Sequence, residues 1–129
     1  MLTHTLCAHR ALLTALLLFL SLLTPLSATR AQVDDDTARA VELHKRAQER
    51  FQYGELDEAA KLYREALALI DHPDLKVRLA QVLTAQSNHQ GALELCSEAL
   101  ESPLLTEQTR EAAGECIKSS QLRLDEVSA

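Results

Sequence analysis

The spacing of apolar side chains along the chain predicts an all-α protein. Apolar or small residues recur at intervals of three and four, which is the period of a helix with one face in a core. Acidic and basic residues fill the positions between them. The pattern predicts five helices, at about residues 37–53, 56–70, 73–86, 89–101 and 106–127.

Glycine, proline and short polar residues separate these helices. Gly54 permits the left-handed backbone conformation that ends a helix. Pro73 is tolerated in the first turn of the third helix, and a polar turn at 87–89 divides the third helix from the fourth. Pro103 then ends the fourth helix. These turn and helix-ending residues therefore indicate two helical hairpins followed by a single helix.

An uninterrupted apolar run, ALLTALLLFLSLL at 11–23, precedes the helical pattern. It follows Arg10 and leads into small residues that end at Ala31, which is the order of a secretory signal peptide. Its length of about 13 residues is short of the roughly 20 that a membrane-spanning helix needs. We predict a signal peptide over 1–31, removed after Ala31, and an exported protein, periplasmic or secreted. Removal after Ala28 and retention as an anchor are the alternatives.

The rest of the chain is strongly acidic. Residues 32–36 are predicted to form a short acidic leader, with Asp36 or Thr37 capping the first helix. Of 13 basic and 19 acidic residues, only Arg10 and Arg30 fall in the predicted signal peptide, so 11 face 19 and the formal charge becomes −8. Such a surface repels phosphate, which argues against nucleic acid and against anionic membranes as partners.

The pattern of small residues repeats after about 33 positions, a period typical of stacked helical arrays. When the chain is compared with itself at this offset, small residues occupy corresponding positions in the two hairpins. The pairs are Ala47 with Ala80, Gly54 with Ser87, Ala59 with Ala92 and Ala66 with Ala99.

These residues resemble the tetratricopeptide repeat family. Its repeat of about 34 residues pairs two helices, with small residues where they touch, a turn glycine, an aromatic and a closing proline. The matching residues are Ala47, Gly54, Ala59, Tyr63, Ala66 and Pro73 in the first unit, and Ala80, Ala92, Ala99 and Pro103 in the second. The resemblance implies repeat one at about 40–72, repeat two at about 73–103 and a capping helix at about 106–127, within a domain at 37–127.

The second unit departs from the family pattern. Ser87 replaces the turn glycine, Cys96 replaces the aromatic, and Lys76 stands at the early position where the family has tryptophan and the first unit has Leu43. The implied fold is a short right-handed solenoid of two stacked hairpins closed by a C-terminal helix. Two repeats are near the lower limit of such stacking, so end-to-end self-association into a homo-oligomer is an alternative.

The family implies a concave groove, lined by the first helix of each pair, that holds a peptide or helix of another protein. The matching positions are Val41, His44, Gln48, Phe51 and Gln52 in the first unit, and Asp74, Val77, Arg78, Gln81 and Thr84 in the second. Phe51 would anchor the partner, Arg78 would pair with a carboxylate, and the glutamines would bind a peptide backbone. The alternative is that these are ordinary surface residues and that Phe51 packs in the core.

Cys96 and Cys116 are predicted on the inward faces of neighbouring helices. In an oxidising compartment a disulfide between them is plausible, and a loop of about 20 residues would gain on the order of 3 kcal/mol in the chain-entropy model. Two reduced, buried cysteines are the main alternative, and a reactive thiol is a third. Cys7 precedes the apolar run and is expected to be lost with the signal peptide.

No catalytic, metal or cofactor motif stands out. The three histidines after the signal peptide, His44, His72 and His89, lack the spacing of metal ligands, and there is no glycine-rich phosphate loop and no nucleophile elbow. We therefore predict a non-enzymatic protein-interaction module, without cofactor, acting as a scaffold or adaptor at the cell envelope. A self-assembling structural subunit and a small hydrolase or enzyme accessory are the rival hypotheses.

Overall fold

The computed structural model describes the backbone of residues 26–129 and the side chains from residue 30 onward. The first part of the predicted signal peptide, including its apolar run and Cys7, lies outside the described residues. Five helices and no strands make up the described part, so the prediction of an all-α protein is confirmed. The helices are α1 (Leu26–Gln52), α2 (Leu56–Leu69), α3 (Pro73–Ala85), α4 (His89–Leu100) and α5 (Glu107–Ser128).

The start of α1 differs from the prediction. The helix begins at Leu26 rather than near Thr37, and the predicted acidic leader at 32–36 is helical. Neither Asp36 nor Thr37 caps it, because both lie inside the helix. The physical reason is that residues 26–36 contain no glycine or proline, so nothing in this segment interrupts the helical hydrogen bonds. Residues 34–129 form one compact unit.

The two hairpin turns have the same backbone geometry. Gly54 has a φ of 77°, and Ser87 has a φ of 63°. Glu55 N–H donates to the Arg50 carbonyl at 2.9 Å, while Gly54 N–H donates to the carbonyl of Phe51 at 3.0 Å. These two bonds are the Schellman pattern, in which a left-handed residue closes a helix.

The turn at Ser87 repeats both bonds. Asn88 N–H donates to the Leu83 carbonyl at 2.8 Å, and Ser87 N–H donates to the carbonyl of Thr84 at 3.0 Å. All four participants stand about 33 positions after their counterparts in the first turn, the period read from the sequence. The replacement of glycine by serine has therefore not changed the conformation of the turn.

The predicted small residues are the most deeply buried part of the core. The six alanines of the predicted repeat pattern have no exposed surface at all: Ala47, Ala59, Ala66, Ala80, Ala92 and Ala99. Such small side chains allow helix axes to approach closely. Larger residues fill the space around them, notably Leu62, Tyr63, Val77, Leu79 and Val82.

Each helix from α2 to α5 packs on its neighbour in sequence. Helix α2 contacts α3, α3 contacts α4, and α4 contacts α5, while α3 also contacts α5. Helix α1 buries Ala40 and Ala47, and the ring of His44 contacts that of Tyr63 on α2. Helix α3 is thus the central element of the described unit.

Side-chain caps begin three of the helices. His72 Nδ1 accepts from Asp74 N–H at 3.3 Å at the start of α3, Asn88 caps α4 through Gly91 N–H, and Thr106 caps α5. Each cap satisfies a backbone donor that the first turn of a helix leaves free. These bonds explain why the predicted starts of α3, α4 and α5 agree with the structure to within one residue.

Lys76 links α3 to the turn before it and to α4. Lys76 Nζ lies 3.0 Å from Asp71 Oδ1 and 3.3 Å from Glu98 Oε2, so it joins the α2–α3 turn, α3 and α4. Its hydrogen bond to Asp71, and then that to Glu98, raises the pKa of Lys76, with burial opposing. The departure from the family pattern at this position is therefore accommodated by an ion-pair network at the partly buried edge of the helices.

Candidate partner-binding groove

An open cavity of about 310 Å³ lies between α1, α3 and the turn before α3. Its walls are mostly apolar, with a few polar groups at one side. The lining residues are Thr37, Ala40, Val41 and His44 from α1, Ile70 and His72 from the turn, and Asp74 and Leu75 from α3. Val41 is 48% exposed. A concave apolar surface with a few polar groups is the general form of a recognition site.

His44 forms one polar side of this cavity. Its ring meets that of Tyr63 edge to face, with centroids 5.7 Å apart and planes at 61°. Burial lowers the pKa of His44 below 6.5, the charge of Arg78 lowers it further, and Asp74 acts in the opposite direction. Its Nδ1 is buried and has no hydrogen-bond partner among the described residues. His44 is therefore neutral at pH 7 and has one ring nitrogen without a protein partner.

Asp74 contributes the second polar group. Its Oδ1 is buried and lacks a hydrogen-bond partner in the described part of the chain. Its Oδ2 lies 3.9 Å from His72 Nδ1, but that nitrogen already accepts the Asp74 N–H and cannot donate to the carboxylate at the same time. The helix cap is the shorter and chemically consistent contact. The Asp74 carboxylate is therefore left without a cationic partner at this contact.

The predicted groove residues are divided between the surface and the core. Gln48 and Gln52 are exposed, and Phe51 is partly buried and packs against the core, as in the alternative interpretation of that residue. Arg78 is exposed and donates to Gln81 Oε1 at 3.3 Å. Of the predicted groove positions, only Val41, His44 and Asp74 line the cavity between α1 and α3.

One predicted groove position is wrong. Val77 is only 1% exposed and belongs to the core, not to the groove. Helix α3 is covered by α2, α4 and α5. Less of its surface is therefore free than the family pattern implied. Sequence reasoning also missed the contribution of Ile70 and His72, although Pro73 already marked a turn beside the predicted groove.

Gln81 lies at a second cavity, of about 370 Å³, between α3 and α5. This α3–α5 cavity is lined by Gln81, Thr84, Ala112, Glu115, Cys116 and Ser119. Gln81 is therefore on a different concavity from His44. The predicted groove positions therefore line two separate cavities and form no single pocket.

Cys116 connects the α3–α5 cavity to the core. Cys116 is 8% exposed, whereas Cys96 is completely buried. Both are free thiols; Cys116 Sγ donates a weak hydrogen bond to the Ala92 carbonyl at 3.8 Å. Ala92 stands four residues before Cys96 on α4, so Cys116 packs beside the turn of α4 that carries Cys96. The disulfide stays a prediction.

The two cysteines affect each other's ionisation. The neighbouring Cys96 thiol lowers the pKa of Cys116 to about 7, against the opposing effect of burial. The interaction with Cys116, together with burial, raises the pKa of Cys96. The first ionisation belongs to the pair, and Cys116 is its more acidic member.

Within residues 26–129, no group of three or more His, Cys, Asp or Glu side chains is arranged to hold a metal ion. None of the helices in this range combines the length and apolar character needed to cross a bilayer.

Comparisons of the chain with protein-family models, with curated proteins and with solved structures found no match. The resemblance to tetratricopeptide repeats therefore stays a prediction from the sequence.

Proposed function

We propose that this chain is an exported, non-enzymatic protein-binding module that holds a segment of another protein in the cavity between α1 and α3. It would act as a scaffold or adaptor at the cell envelope. The observation that carries the proposal is the combination of an apolar cavity with a buried carboxylate oxygen, on Asp74, that has no partner in the described chain. A bound segment would supply what the cavity lacks.

We further propose that the helices stack as two tetratricopeptide-like hairpins with α5 as the cap. The two left-handed turns with the same hydrogen bonds support this arrangement. The fully buried alanines at corresponding positions of both units support it too. The signal peptide and the export it implies rest on the sequence pattern at 1–31.

The chemistry of the cavity favours a partner segment with an aliphatic side chain next to a lysine or arginine. The aliphatic group would pack on Val41, Ile70 and Leu75, and its burial would supply affinity. The cation would pair with the Asp74 carboxylate. The formal charge of −8 on residues 32–129 would attract a basic segment and accelerate its association.

The test begins with crosslinking of the full chain in the native host, followed by mass spectrometry to identify the attached segment. A synthetic peptide of that segment is then titrated against the full chain by fluorescence anisotropy. Val41→Asp puts a charge on the apolar wall and should weaken binding at least about tenfold, or about 1.4 kcal/mol. Val127→Asp is the matched control, because Val127 is 87% exposed and lies on α5, away from the residues that line the cavity.

Asp74→Asn tests the charge at nearly constant shape. It should weaken binding of a basic peptide about tenfold at low salt, with a smaller effect at high salt because ions screen exposed charges. Equal binding by the wild-type chain and Val41→Asp would refute the groove. Equal binding by Asp74→Asn alone would refute only the preference for a basic segment.

Self-association is the second candidate function, favoured by apolar residues on the surface of the last helix and the loop before it. Leu104, Leu122 and Val127 are 65%, 60% and 87% exposed. A surface of this kind suits end-to-end contact between copies. Light scattering at micromolar concentration decides the question, because a monomer would eliminate the structural-subunit hypothesis.

A further inference from the structure

The α3–α5 cavity contains chemistry that protein binding does not use. Cys116 lines this cavity of about 370 Å³, whereas Cys96 is fully buried. The Cys116 sulfur lies 3.8 Å from the carbonyl of Ala92, which stands four residues before Cys96 on α4. This arrangement places an accessible sulfur beside the turn of α4 that carries a protected one.

We propose that the α3–α5 cavity is a thiol-exchange site, in which Cys116 captures a small neutral or cationic disulfide and Cys96 resolves the adduct into an internal disulfide. The site is independent of the proposed partner groove, since only the α3–α5 cavity is lined by Cys116. It assigns different roles to two cysteines that the sequence alone treats as equivalent.

The reaction takes place in two balanced steps. The Cys116 thiolate attacks one sulfur of the disulfide RSSR, which forms a Cys116–SR bond and expels RS⁻. The Cys96 thiol then loses its proton and attacks the Cys116 sulfur, which forms the Cys96–Cys116 bond and expels a second RS⁻. The two protein thiols lose two electrons and two protons, and the reagent disulfide takes up both to become two RSH molecules.

Geometry determines the order of the two steps. Cys116 is partly exposed to the cavity, whereas Cys96 has no exposed surface from which to reach an external reagent. The neighbouring Cys96 thiol lowers the pKa of Cys116 to about 7, so part of Cys116 is the nucleophilic thiolate near neutral pH. Once Cys116 carries the adduct, Cys96 is left next to an electrophilic sulfur.

The lining of the cavity selects the reagent. Glu115 is the one charged residue among the six that line it, and its carboxylate repels an anionic disulfide. The other lining groups are amide, hydroxyl and methyl groups that accept a small uncharged chain. Cystamine, which is cationic, should therefore react faster than oxidised glutathione, which carries carboxylates.

The experiment uses the full chain with Cys7→Ser, so that Cys96 and Cys116 are the remaining thiols. Cys96→Ser leaves Cys116 alone, and Cys116→Ser leaves Cys96 alone. With cystamine and intact-mass detection, the Cys116-only protein should form a stable adduct at least about tenfold faster than the Cys96-only protein. The protein with both cysteines should end two hydrogens lighter and retain no cysteamine.

Controls separate reactivity from unfolding. In denaturant the two single-cysteine proteins should react at equal rates, and circular dichroism should show equal helicity under native conditions; Cys96→Ala and Cys116→Ala replace any variant that fails this check. Glu115→Gln should reduce the preference for cystamine over oxidised glutathione. Equal native rates for the two thiols, or a persistent cysteamine adduct on the protein that contains both, would overturn the proposal.

Discussion

The turn between α1 and α2 contains Gly54, and the turn between α3 and α4 contains Ser87 at the corresponding place. Both residues have a left-handed backbone, and both turns make the same pair of hydrogen bonds. Glycine adopts this conformation without steric cost, whereas serine has to overcome the clash of its Cβ atom. The second turn therefore keeps its shape because the helices on either side impose it.

The same contrast extends into the core. Tyr63 on α2 and Cys96 on α4 occupy corresponding positions, and both are buried. The tyrosine fills a large volume beside His44, while the smaller cysteine leaves space into which α5 brings Cys116. Hairpin one therefore gains stability from a large aromatic side chain, whereas hairpin two has a smaller side chain that packs towards the last helix.

The largest expected difference between the hairpins comes from shortening these two side chains. Tyr63→Ala should destabilise the fold by about 3–5 kcal/mol, in the range seen when a large buried aromatic is removed. Cys96→Ala should cost only about 1 kcal/mol, because one small group is lost. Urea denaturation followed by circular dichroism measures both. Similar costs at the two positions would show that the hairpins are stabilised in the same way.

Substituting the two turn residues should change the stability of the fold by an intermediate amount, with opposite signs at the two sites. Ser87→Gly should stabilise the fold by about 1 kcal/mol, and Gly54→Ala should destabilise it by about 1 kcal/mol. A Cβ atom at Gly54 would meet no atom within 4 Å, so the cost there is conformational and not steric. The midpoints of urea denaturation report both changes. A loss of stability in Ser87→Gly would mean that the serine side chain supports the turn.

The smallest expected effect is a pH dependence of stability that comes from His44 in the first hairpin. The pKa of His44 is lowered in the folded chain, so the unfolded chain binds more protons near pH 6. Stability should therefore fall as the pH decreases from about 7 through the ordinary histidine value of 6.5, towards the lower folded value. His44→Gln should weaken this dependence when denaturation is measured from pH 5 to 8. An unchanged pH profile in that variant would assign the effect to other groups.

The sequence predicted the helices well wherever the chain contains a residue that interrupts a helix. The ends of α1 and α2 follow from Gly54 and Pro73, and the later boundaries agree to within one residue. The start of α1 was missed because residues 26–36 contain no such residue. Periodic patterns show which residues are buried but do not show where an uninterrupted helix begins.

The candidate site was less predictable than the fold. His44 lines the cavity between α1 and α3, whereas Val77 was predicted to face the partner and is buried instead. The free part of α3 depends on the angles at which three neighbouring helices cover it, and those angles are not encoded in spacing alone. The turn residues Ile70 and His72 were missed for the same reason, because they enter the cavity through the path of the chain.

The inner face of α5 has a consequence for the order in which the chain comes apart on heating. Its buried residues are Ala113, Cys116 and Ser120, which together offer little apolar area. Gly114 in the same helix, with no atom within 4 Å of a Cβ there, lowers helix stability by about 1 kcal/mol relative to alanine. Helix α5 should therefore fray first, exposing its amides to hydrogen exchange and its backbone to proteases while the two hairpins are still folded.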